Sequence, residues 1–98
     1  MEATRTESIT EVLPGIYQMK VPIPNNPLGF TLSYLLKGSE GHFLIDTGIP
    51  APVARDALEG QIRALTDPKD IALILITHIH PDHSGLTAEV KRIAPHAM

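Results

Sequence analysis

From Thr77 to Gly85 the chain reads Thr-His-Ile-His-Pro-Asp-His-Ser-Gly, so three imidazoles and one carboxylate fall within six positions. These are metal-ligating side chains, and their spacing says how they could converge. Successive side chains on an extended segment point to opposite faces, which puts His78 and His80 on one face and Ile79 on the other. Their Cα atoms would lie roughly 6–7 Å apart. Two imidazoles at that separation can meet one ion at about 2.0–2.1 Å from each nitrogen. Pro81 lacks an N–H and biases His80 towards extended backbone, so the strand ends there and the chain turns. Asp82 and His83 then sit on the turn, placed to address a second ion beside the first. Gly85 permits close backbone approach before the next element. A single histidine at a strand end is commonly a solvated loop residue. Four ligand-type side chains in this order, with Pro and Gly at the turn positions, are expected to bind metal.

Two elements must position this set. The apolar run Ile71-Ala72-Leu73-Ile74-Leu75-Ile76 leads straight into it. Being short, β-branched and without a polar face, it reads as a buried strand. The ligands would then leave the sheet at a strand's C-terminal edge, where open sheets commonly hold their sites. Earlier, Leu44-Ile45-Asp46-Thr47-Gly48 ends another apolar run on a carboxylate.

The pattern H-x-H-x-D-H-x-G after an apolar strand and Thr77, with Asp46-Thr47-Gly48 upstream, resembles the metallo-β-lactamase superfamily. The resemblance implies an α/β fold, the N-terminal part of an αββα sandwich: strand meander, helix, buried strand, metal loop, helix. That domain is considerably longer than this chain, so residues 1–98 are expected to be its N-terminal portion, with residues 1–11 a frayed tail. By position, His78 and His80 would bind a first zinc. Asp82 and His83 would bind a second, and Asp82 would also handle a proton as the catalytic residue. Asp46, Thr77 and Gly85 would be supporting residues, with Asp46 beneath the site and not a ligand. Substrate-binding residues stay unassigned. Two zinc ions are expected in the intact domain, ahead of iron or manganese, because iron-dependent oxidoreductase relatives usually carry Glu at the position of His80.

The activity implied is hydrolysis of an ester, thioester, lactone, lactam or phosphodiester by a metal-bound hydroxide. Gly85-Leu86 departs from the Gly-Gly of glyoxalase-II-like thioesterases, which counts a little against that subfamily. The family completes its sites with later ligands that have no counterpart here. The 98 residues alone are therefore expected to be inactive, and to self-associate or pair with the missing C-terminal part. Two other readings stand beside this one. Asp-Thr-Gly also marks aspartic peptidases, which in small retroviral-type dimers pair two such aspartates. Those proteins are almost all β, whereas a helix is expected to follow Gly48. The third reading is a non-catalytic fragment that binds metal weakly.

The remaining elements follow from periodicity. Val12 to Gly15 reads as a turn and Ile16 to Val21 as a strand. Pro22 to Gly29 carries three prolines and is a loop, either a plain connector or one that overhangs the site. Phe30 to Leu36 is a strand with Phe30, Leu32, Tyr34 and Leu36 on one face. A two-glycine turn returns it to a buried strand from His42 to Ile45. Ala54, Ala57, Leu58, Gln61, Ile62 and Leu65 fall at helical spacing, opposite Arg55, Asp56, Glu59 and Arg63. Leu86, Val90 and Ile93 mark the inner face of a second helix that closes before Pro95. His42 and His96 lie outside the motif, His42 opening a surface strand and His96 on a tail.

Composition narrows the partners. A formal charge of −3 and no basic run argue against nucleic acid, and a small-molecule substrate is expected. With no cysteine there is no disulfide framework and no thiolate metal site. No run approaches the length of a membrane span, and the first ten residues are too polar for a secretory signal. A cytoplasmic location is the expectation.

Overall fold

Alternating side chains fold the first half of the chain into an antiparallel ladder. The computed structural model describes residues 9–23, 29–77 and 85–98. Strands β1 (Ile9–Leu13), β2 (Ile16–Pro22), β3 (Phe30–Leu36) and β4 (His42–Ile45) pair in sequence order. Helix α1 (Pro52–Leu65) then carries the chain across to β5 (Ile71–Leu75), which pairs parallel with β4. A parallel neighbour needs such a crossover, since a tight turn can only reverse the chain. A single 3-10 turn, Pro68–Asp70, precedes β5, capped by the Asp67 carboxylate on the Lys69 amide at 3.0 Å. Helix α2 (Thr87–Ile93) closes the described chain. Met98 then runs beside β5: its N–H donates to Ala72 O at 3.0 Å and its carbonyl accepts from Ile74 N at 2.9 Å, the hydrogen-bond pattern of parallel strands. No helix among the described residues is long and apolar enough to cross a membrane.

Both helices pack on one face of the sheet. Met19, Val21, Leu35 and Leu44 from the strands meet Ala54, Leu58 and Ile62 of α1, and Leu86, Val90 and Ala94 around α2. Gln61 is buried with them, and its Nε2 donates to Lys20 O at 2.7 Å, which ties α1 to β2. Arg92 Nη2 reaches Glu59 Oε1 at 3.2 Å and links the two helices at the surface. That pair is exposed, and such pairs contribute about 0–1 kcal/mol.

The helical spacing matches expectation, but two details differ. Residues 9–11, expected in a tail, and Val12-Leu13, expected in a turn, form β1. The turn is confined to Pro14-Gly15. Backbone pairing with β2 outweighs the polar composition of that segment, and a bulge between Glu11 and Leu13 adjusts the register. In β3, Phe30, Leu32, Tyr34 and Leu36 share a face as expected, and the helices cover the opposite face, where Thr31, Ser33 and Leu35 are buried. Finally, β5 is buried on one face only. Leu75 is 46% exposed, and Phe43, opposite Leu73 on β4, is 44% exposed. Its uninterrupted apolar run marks a strand with two apolar faces, of which the helices cover one.

Gly60 sits within α1, and an added Cβ there would meet nothing within 4 Å. Replacing a mid-helix glycine by alanine removes unfolded-state freedom at no steric cost, so Gly60→Ala should raise stability by about 0.5–1 kcal/mol. A denaturation midpoint that falls in this variant would show that the helix backbone is strained there.

Candidate metal centre

Where β4 ends, the chain makes a sharp bend at Asp46-Thr47-Gly48, and this bend holds both flanks of the motif. Asp46 is only 6% exposed and has φ +64, a left-handed conformation that is uncommon outside glycine and best tolerated by Asn and Asp. Its surroundings fix that conformation. Its N–H donates to Leu75 O at 2.8 Å, continuing the β4–β5 ladder by one residue. Its carbonyl accepts from Ser33 Oγ at 2.7 Å. Its carboxylate then meets the residue just before His78: Thr77 N–H donates to Oδ1 at 2.8 Å and Thr77 Oγ1 to Oδ2 at 2.6 Å. Two hydrogen bonds to one carboxylate set both the position and the direction in which the chain leaves β5.

The other flank is held by the next two residues. Leu86 N–H donates to Gly48 O at 3.1 Å and to Thr47 Oγ1 at 3.2 Å. Gly48 has φ +154, and a Cβ there would fall 2.7 Å from Val21 Cγ1 and 3.2 Å from Leu86 Cδ1. Only glycine lets the bend approach β2 and α2 this closely.

Of the residues expected from the sequence, Asp46, Thr77 and Gly85 are described. Asp46 touches Thr77, and Gly85 lies in the turn that opens α2. His78, His80, Asp82 and His83 lie outside the described residues. Among the described residues no group of three or more His, Cys, Asp or Glu side chains could hold an ion. His42 Nδ1 accepts from Gly38 N–H at 3.2 Å within the β3–β4 turn, and His96 is exposed. Thr47 and Ser33 were not expected in the site. A small polar residue on the core-facing side of a strand, as Ser33 is, was the available signal for one.

The two flanks held by one bend, at the edge where β4 and β5 end, define a metallo-β-lactamase type of scaffold. The family model for the metallo-beta-lactamase superfamily matches residues 26–97, and the chain belongs to that superfamily. Among solved structures it is similar to a metallo-beta-lactamase family protein of Thermus thermophilus, with 40% identity and a TM-score of 0.74, covering 86% of this chain and 28% of that one. It is also similar to BJP-1, a subclass B3 metallo-beta-lactamase of Bradyrhizobium japonicum, with 31% identity and a TM-score of 0.68, covering 87% and 29%. Among curated proteins it is 36% identical over 63 residues to a flavo-diiron protein, FprA2, of Clostridium acetobutylicum, covering 64% of this chain and 15% of that protein. The chain thus spans less than a third of each. The aspartic-peptidase reading is set aside by the family, by helix α1 after Gly48, and by an Asp46 carboxylate engaged on both oxygens by Thr77.

Proposed function

We propose that this chain supplies the ligand-bearing part of a dinuclear zinc hydrolase, with His78 and His80 on one ion and Asp82 and His83 on the other. The donor set suits the metal: three imidazoles and one carboxylate, with no thiolate in the chain, fit a borderline divalent cation. When bound, the ion supplies a Lewis acid and a water acidic enough to attack at neutral pH. The protein's own part is to hold the donors in place. Asp46 fixes where the chain leaves β5, and Asp82 carries a proton for the reaction. The substrate class is an ester, thioester, lactone, lactam or phosphodiester. The observation that carries the zinc reading is the imidazole at position 80, where iron-dependent relatives usually have a carboxylate.

A second reading has its own support. The similarity to a flavo-diiron protein favours an iron-dependent oxidoreductase. Elemental analysis of the intact protein, purified without chelator, separates the two. The zinc reading expects zinc near stoichiometry and ester or lactam turnover that chelation abolishes and added zinc restores. Stoichiometric iron, or hydrolysis that survives exhaustive chelation, overturns it.

A further inference from the structure

We propose that Thr47 is a positioning residue for the second ion of this site: its hydroxyl, with the Gly48 carbonyl, fixes the place where the ligand segment rejoins the fold. The inference rests on the metal reading above and concerns residues that the motif does not include. Thr77 and Leu86, which flank residues 78–84 in the sequence, are both attached to one three-residue bend. Thr77 is held by the Asp46 carboxylate through two hydrogen bonds. The Leu86 amide is shared between Gly48 O at 3.1 Å and Thr47 Oγ1 at 3.2 Å. Thr47 is 1% exposed and Leu86 2% exposed, so water cannot readily substitute for that hydroxyl. The Leu86 carbonyl in turn accepts from Val90 N at 2.9 Å, so the start of α2 is referenced to the end of β4.

The two attachments are unequal. Thr77 adjoins His78, whereas Leu86 lies three residues beyond His83. Loosening the Leu86 end should therefore disturb Asp82 and His83 more than His78 and His80. The Leu86 amide keeps Gly48 O as an acceptor when the hydroxyl is lost, so it is not left unsatisfied and global folding should survive. Thr47→Val removes the hydroxyl and keeps the branched shape. Thr47→Ser keeps the hydroxyl and drops the methyl.

The test is a zinc titration of the intact protein against a competing chelator, together with amide exchange at Leu86 in the metal-free state. In Thr47→Val the first zinc equivalent should bind as in the parent. The second should weaken by about tenfold, the low end for hydrogen bonds that support a metal site, and the Leu86 amide should exchange faster. Thr47→Ser should restore both. The inference is overturned if Thr47→Val binds both equivalents as the parent does, if both weaken equally, or if Thr47→Ser fails to rescue. A parent that takes up no zinc overturns the metal reading, and this inference with it.

Discussion

Replacing His78 and His80 together by alanine should abolish stoichiometric zinc. On an extended segment alternation would put these two imidazoles on one face, and the metal reading proposed above assigns both to one ion. Asp82 and His83 would remain, but two protein donors fall short of the three that a catalytic zinc ordinarily takes. Apparent binding free energies for structural zinc are on the order of 10–16 kcal/mol. Losing half the donor set should therefore lower affinity by orders of magnitude. The control is His42→Ala with His96→Ala. His42 serves the β3–β4 turn and His96 is exposed, so zinc content should not change. Zinc retained by the first double variant, or lost from the control, would place the site elsewhere. His80→Glu extends the same experiment. If the residue at this position sets metal preference, the variant purified from iron-containing medium should carry a larger share of iron than the parent.

The proposed ligands His78, His80, Asp82 and His83 rest on the sequence, where their side chains are chemically distinctive; the structure describes Asp46, Thr77 and Gly85, the residues that flank or support them. Helix α1 was legible because its apolar residues recur at helical spacing along 14 residues; that β5 pairs parallel with β4 is what the structure adds. Less could be read where two faces of a strand compete. Phe30, Leu32, Tyr34 and Leu36 alternate cleanly, and alternation shows that a face exists without showing which element covers it. The covered face carries Thr31 and Ser33, whose polarity conceals it in the sequence. Ser33 is there because Asp46 bends with its carbonyl turned into the core, where it needs a donor. β1 was hidden because its residues are polar and its stability comes from pairing with β2, a non-local contribution that composition does not carry. Thr47 was hidden by its commonness. A threonine reads as a positioning group only once the amide it accepts from, 39 residues away, has been located.

The bend itself offers the second large effect, and its two variants should part sharply. Asp46→Asn keeps a side chain that tolerates φ +64 and keeps one carbonyl oxygen to accept from Thr77 N–H. Its amide would face Thr77 Oγ1, which can rotate and accept in place of donating. The loss is then mainly the charge on the acceptor, worth about 1 kcal/mol against a neutral bond. Asp46→Ala removes both acceptors and forces alanine into the left-handed region. Leaving donors unmade costs about 1–3 kcal/mol, and the backbone conformation adds roughly 1–2 kcal/mol. The expected result is a fall in stability of about 2–5 kcal/mol for Asp46→Ala, against about 1 kcal/mol for Asp46→Asn. Denaturant unfolding of the intact, metal-free proteins measures both without relying on any ligand. Zinc titration of the same pair adds the functional half. Asp46→Ala frees the start of the ligand segment and should weaken the first equivalent, the opposite of the pattern expected for Thr47→Val. Equal stability losses in the two variants would mean that charge, not geometry, is what Asp46 contributes. A first equivalent unaffected by Asp46→Ala would mean that β5 alone sets where His78 begins.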